Sequence, residues 1–261
     1  FSKTNFLSYV RERIDGFEER HAVPGQGHSI SDRDRKEFPE YFQSGGRAAI
    51  GAQTKSFFCN GPLTYVGQSA IRADIDNFKA AMAGVTEQEG FLPSVAPGSI
   101  EHWLMNDHYA TQEEFVYAIG DAMHEEYKAI TDAGFLLQID DPDLADAWQI
   151  HTEMSVPEYR KFAEMRIDAL NHALRGIPEE QVRFHMCWGS YHGPHKYDIP
   201  LKDIVDVILM VNASSYSIEA SNSAHEHEWK VWEDVKFPDG KVLIPGVIGH
   251  STDFVEHPEL V

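Results

Sequence analysis

The run Val182-Arg183-Phe184-His185-Met186-Cys187-Trp188-Gly189 sets an imidazole and a thiol two residues apart. If the run is a strand, its side chains alternate between faces, so His185 and Cys187 point one way and Phe184 and Met186 the other. One nitrogen and one sulfur donor on a common face can reach a single ion. That pair suits zinc better than magnesium or calcium, which take hard oxygen ligands. A buried structural pair is the competing reading of the same two residues. Carboxylates close two neighbouring apolar runs: Glu219 after Tyr216-Ser217-Ile218, and Asp140 after Phe135-Leu136-Leu137-Gln138-Ile139. Glu219 is placed to be a third ligand or, on the plainer reading, a solvated strand end. Asp140, followed by Asp141-Pro142-Asp143, can bind a substrate ammonium or cap a turn.

Other reactive side chains carry weaker signals. The cluster His225-Glu226-His227-Glu228-Trp229 reads as a polar junction between loop and helix, with Trp229 buried. His192 and His195 sit in a Gly/Pro loop, where lining a mouth and facing solvent are equally compatible with the sequence. Cys59 ends an early apolar run and reads as a small buried side chain. Phe115, Tyr117, Met123 and Tyr127 recur at near-helical spacing and read as core.

Elements able to position these residues alternate along the chain. Strand-length apolar runs lie at 56–59, 91–95, 135–140, 182–188, 214–219 and 242–248, with helical periodicity at 71–83, 112–133, 158–175, 201–211 and 226–235. Thr111 with Glu114 and Ser155 with Glu158 have the three-residue spacing of a reciprocal helix cap. Strands alternating with helices predict an α/β fold built of repeated β-α units around a parallel sheet, a (β/α)8 TIM barrel in a single domain over 1–261. A Gly/Pro/His-rich stretch at about 22–46 reads as an excursion from that pattern, and with roughly six strands in place of eight the barrel reads as incomplete, both ends of the chain reading as cut.

With 22 Lys+Arg against 42 Asp+Glu the formal charge is −20, which repels nucleic acid and anionic lipid. No apolar run approaches the roughly 20 residues that span a bilayer. Two cysteines in 261 residues make no disulfide framework, which points to a reducing, cytoplasmic setting. The partners expected on these grounds are small molecules, and a homo-oligomer is compatible with them.

The string His185-Met186-Cys187, with Gln138-Ile139-Asp140-Asp141-Pro142 before it and Ser217-Ile218-Glu219 after it, resembles the catalytic barrel of cobalamin-independent methionine synthase. Ala96-Pro97-Gly98-Ser99-Ile100-Glu101-His102-Trp103 resembles that family's Gly-Pro-x-Thr-Ile-x-x-Trp segment. Pro245-Gly246-Val247-Ile248-Gly249-His250-Ser251 resembles its Gly-Pro-Gly-Val-x-x-x-His-Ser. The matches follow the family's order from about Phe91 to Ser251, and an ordered set is far more specific than any one motif.

The resemblance implies a zinc cofactor with His185, Cys187 and Glu219 as ligands. It implies that Asp140 holds the amino group of an amino-acid thiol, that Trp103 stacks on the donor with Ser99 in the same substrate-binding segment, and that His250 assists proton transfer. The implied activity is zinc-dependent methyl or alkyl transfer to a thiol, with homocysteine as the default acceptor. The family's fourth ligand is a second cysteine beyond a further helix and strand, and no cysteine follows Cys187. Short single-barrel relatives also include zinc enzymes that open epoxides with coenzyme M, which is the alternative activity. A metal-free barrel of the uroporphyrinogen decarboxylase type is a third reading, opposed by the His185/Cys187 pair.

Overall fold

Where the sequence alternates apolar and polar side chains in its second half, the chain forms strands with one face packed solid. In a computed structural model describing residues 6–21, 31–43, 55–85, 89–189, 193–249, 255–259 and 261, the elements begin with helix α1 (Phe6–Arg11), strand β1 (Ile14–His21) and helices α2 (Asp32–Glu37) and α3 (Pro39–Gln43). Then come β2 (Lys55–Tyr65), α4 (Gln68–Met82), β3 (Phe91–Val95), α5 (Pro97–His102), β4 (Leu104–Asn106) and α6 (Gln112–Asp132). The chain continues through β5 (Leu136–Asp140), α7 (Asp143–Asp146), α8 (Val156–Ala173), β6 (Val182–Met186), α9 (Val205–Ile208), β7 (Ser215–Glu219), α10 (Val231–Asp234) and β8 (Val242–Gly246).

Strands β3, β5, β6, β7 and β8 lie side by side in that order, all parallel. Parallel neighbours need a crossover, and α6 and α8 supply the long ones, packing on one face of the sheet. That face holds the core. Leu137, Ile139, Phe184, Met186, Tyr216 and Ile218 are at most 2% exposed and pack with Phe115, Met123 and Tyr127 of α6 and Tyr159 and Ile167 of α8. Tyr117 is only half-buried, so the aromatic stripe of α6 is narrower than its spacing predicts. The opposite face of β5 and β6 carries Gln138, Asp140, Arg183 and His185, all half-buried. This is the arrangement of an α/β barrel wall, with helices outside and polar side chains within.

The Ser155/Glu158 cap forms as the sequence predicts, whereas at Thr111 the carboxylate half reaches one residue further back. Thr111 accepts from the Glu114 N–H at 3.0 Å, and the Glu114 carboxylate accepts from the Ala110 N–H at 3.1 Å. Ser155 donates its backbone N–H to Glu158 at 2.8 Å. The segments at 201–211 and 226–235 are not continuous helices: each is a 3₁₀ turn, Leu201–Asp203 or Glu226–Lys230, leading to the four-residue α9 or α10. Within the excursion, α2 and α3 are the described part. Asp34 of α2 accepts from the Tyr197 N–H at 3.2 Å, which ties the excursion to the loop after β6.

A second sheet orders as β1-β2-β4. β1 pairs antiparallel with β2 and is kinked by a bulge at Gly16, whose φ of +108° favours glycine and where a Cβ would sit 2.8 Å from the Pro62 carbonyl oxygen. Among the described residues no helix is long and apolar enough to cross a membrane.

Candidate active site

Register, rather than sequence proximity, gathers the predicted site residues. Asp140 of β5 pairs with His185 of β6, and His185 pairs with Ser217 of β7. Residues in register on parallel strands face the same side about 4.8 Å apart, so Asp140, His185 and Ser217 form one row across the sheet. Two residues further along, Cys187 and Glu219 begin the next row at the strands' C-terminal ends. The ring of His185 is oriented by its Nδ1, 3.2 Å from the Ser217 carbonyl oxygen, which leaves Nε2 for another partner. Cys187 is half-buried and Glu219 is 8% exposed. Burial pushes the Cys187 thiol up to about 12, and the negative charges of Glu219, Asp146 and Asp143 push the same way. Cys187 is therefore a neutral thiol in an acidic setting, the kind of donor that ionises when a cation arrives.

Imidazole, thiol and carboxylate are donor types that zinc takes. As the side chains stand, no three His, Cys, Asp or Glu among the described residues are close enough together to hold an ion. Cys59, at the end of the early apolar run, is wholly buried and donates to the Gly61 carbonyl at 3.3 Å, so it contributes nothing to this rim.

Beside the donors lies an acid-rich turn. Burial raises the pKa of Asp140, which accepts from Gln138 Nε2 at 2.8 Å and is partly offset by His185 and Arg183. Burial raises Asp141 to about 6 and Asp143 to about 7, and Asp146 is raised well above the usual carboxylate range for the same reason. Ser99 is fully buried in α5; its hydroxyl donates to Asp141 Oδ1 at 2.8 Å and accepts from the Asp143 N–H at 3.3 Å. Its hydroxyl is thus engaged in holding the turn together. Trp103 caps α5, half-buried, with its ring 4.9 Å from that of His102. Its indole N–H is near enough to Asp143 to lower that acid's pKa, although it falls short of hydrogen-bond geometry. His250 and His192 lie outside the described residues.

The junction after β7 departs from expectation. Trp229 is 54% exposed rather than buried, because the Glu226–Lys230 turn directs it outward, and the buried aromatic partner is His225 instead. His225 lies between Asp198 and Glu228, and Asp198 also bonds His195 at 2.7 Å. No spacing in the sequence signals that convergence of Asp198 with residues 27 positions away.

Residues 53–261 match the family described as the catalytic domain of cobalamin-independent synthase. The methionine synthase of Thermococcus kodakarensis is 24% identical over 190 residues, 72% of this chain and 48% of that protein. The 5-methyltetrahydropteroyltriglutamate–homocysteine methyltransferase of Thermotoga sp. is 30% identical over 131 residues, 50% of this chain and 16% of that protein. The chain thus spans about half the length, or less, of these curated relatives. A solved structure of a B12-independent methionine synthase from Shewanella sp. W3-18-1, in complex with selenomethionine, superposes with a TM-score of 0.65 at 17% identity, over 97% of this chain and 64% of that one. That likeness bears out the barrel fold, and the family match over most of the chain means that this protein belongs to the cobalamin-independent synthase catalytic-domain family.

Proposed function

We propose that this protein transfers a methyl or larger alkyl group to a small-molecule thiol, with homocysteine as the acceptor, and that His185, Cys187 and Glu219 hold a zinc ion for the purpose. What supports the reading is the register of β6 on β7, which pairs His185, its ring oriented by the Ser217 carbonyl, with Ser217 on parallel strands that run on into Cys187 and Glu219. Family membership and the names of the relatives supply the reaction class.

Bound zinc would supply the charge that keeps a thiol deprotonated at neutral pH, where a free thiol of pKa about 8.5 is mostly protonated. The chain's own residues do the rest. Asp140, in register with His185, would accept the ammonium of an amino-acid thiol. Trp103 offers an aromatic face at the edge of the same turn, and His250 is assigned the proton transfer that accompanies release of the donor. Holding sulfur and carbon in line turns an encounter of two molecules into a positioned displacement, worth several kcal/mol of barrier.

Metal content tests this directly. The protein should purify with about one tightly held zinc, and Cys187→Ser should weaken that binding about 10- to 100-fold while lowering activity in step. A protein that binds no zinc, or a Cys187→Ser variant unchanged in both respects, ends the proposal.

A further inference from the structure

Between the ends of β6 and β7 the chain builds a buried polar clasp. His225, 4% exposed, lies flat on Trp188, with ring centroids 3.7 Å apart and planes 13° from parallel. Both its nitrogens are engaged: Nε2 stands 3.0 Å from Asp198 Oδ2 and Nδ1 2.8 Å from Glu228 Oε2. The arrangement extends further. Asp198 bonds His195 Nδ1 at 2.7 Å and Gln149 Nε2 at 2.9 Å, and the other Glu228 oxygen accepts from the Leu201 N–H at 2.8 Å. Trp188 donates its indole N–H to the Ile199 carbonyl at 2.8 Å. His195 holds a left-handed φ of 50°, a strained conformation for a non-glycine residue that its bond to Asp198 helps to maintain.

Two carboxylates facing the two ring nitrogens require both nitrogens to be donors, which makes His225 an imidazolium. Burial pulls its pKa down, but the hydrogen bonds it donates to Asp198 and Glu228 outweigh that and hold it at about 9. A histidine buried with both nitrogens occupied has no free position from which to exchange a proton with a substrate. What it can do is fix its neighbours, and the neighbour that matters is Trp188, which follows Cys187 directly in the chain. Gly189 then turns at φ +77°, where a Cβ would lie 3.2 Å from the Asp146 carboxylate.

The geometry points to His225 as a positioning residue that clamps Trp188 between its ring and the Ile199 carbonyl, and so holds Cys187 on the same rim as Glu219. The inference rests on the reading of Cys187 as a metal ligand given above, and its test separates the two. In the intact protein, His225→Gln keeps one hydrogen bond but loses the charge, Trp188→Phe keeps the stack but loses the indole N–H, and Glu228→Gln keeps an acceptor for Leu201. Two quantities are measured: the iodoacetamide alkylation rate of Cys187 in metal-free protein, with Cys59 as internal reference, and the zinc dissociation constant by chelator competition.

His225→Gln should speed Cys187 alkylation roughly tenfold, the scale of one lost charge-assisted hydrogen bond, with Cys59 unchanged. It should raise the zinc dissociation constant about 10- to 100-fold. The Trp188→Phe/His225→Gln double variant should be less affected than the sum of its parts, since both act through one ring. Folded variants with unchanged Cys187 alkylation overturn the inference. If His225→Gln fails to fold, Glu228→Gln and Trp188→Phe decide by the same criterion. A wild-type protein that binds no zinc removes the functional proposal, while the alkylation rates still judge the clasp.

Discussion

Asp140 and His185 stand opposite one another in register, and on the proposed reading this pairing would bear on which thiol the rim holds. A carboxylate in register with His185 and below Cys187 and Glu219 would favour an acceptor that carries an ammonium. Asp140→Asn should therefore lower kcat/KM for homocysteine about 10- to 100-fold, the range expected for losing a charged hydrogen bond. Turnover with a thiol that lacks the ammonium, such as coenzyme M, should be unaffected; equal losses with both thiols would remove Asp140 from substrate binding. These residues were legible in the sequence because strand alternation has a period of two, so His185 and Cys187 had to share a face once β6 was recognised. The sequence did not disclose that the Ser99 hydroxyl is engaged by Asp141 and Asp143, or that His225 and not Trp229 is buried. Those outcomes depend on contacts between distant segments, which leave no periodic trace.

At the scale of elements, α5 packs against the short α7 and encloses an unusually acidic turn. Asp143 faces Asp141, Ser99, Trp103, His102 and Arg166. Burial raises Asp141 to about 6 and Asp143 to about 7, so both prefer the protonated form in the folded state. Their contribution to stability is fully present below the ordinary carboxylate pKa and is lost as pH rises through those values. Melting temperature should thus fall between about pH 4, where the unfolded carboxylates ionise, and about pH 7, and Asp143→Asn should flatten the decline, gaining on the order of 2 kcal/mol relative to wild type at the upper end. Identical slopes for the two proteins would contradict this. The strands of the parallel sheet and the capped helices α6 and α8 could be read from apolar runs and cap spacing, because their burial is periodic. β1 could not, since Ile-Asp-Gly-Phe-Glu-Glu-Arg-His is mostly charged and its pairing with β2 leaves most of it half-exposed. The short α9 read as a longer helix because apolar residues at 201–211 bury through a 3₁₀ turn with nearly the same spacing, whereas around α10 Trp229 is exposed and Val231, Trp232 and Val235 are only half-buried.

Across the whole molecule, the amino-terminal elements are tied to the parallel sheet by charge inside the core. Arg13 and Glu126 are both wholly buried and bonded at 2.8 Å; Tyr65 and Ser94 donate to the same carboxylate at 2.6 and 2.9 Å, and Arg13 also reaches Asp74 at 2.7 Å. Removing one partner leaves a buried charge short of compensation, so Glu126→Ala should cost about 3–5 kcal/mol in urea unfolding. A loss below about 1 kcal/mol would place this network outside what holds β1 and β2 on the barrel. None of it could be foreseen, because Arg13 and Glu126 are 113 positions apart and each looks like a surface charge in its own helix or turn. The barrel itself was legible from ordered motifs spread over more than half the chain. The central claim is that His185, Cys187 and Glu219 hold a zinc ion that accepts the substrate sulfur. X-ray absorption at the zinc edge of the intact protein, with and without homocysteine, measures it most directly. One additional sulfur neighbour on adding the thiol is the predicted result; a zinc shell that does not change would contradict it.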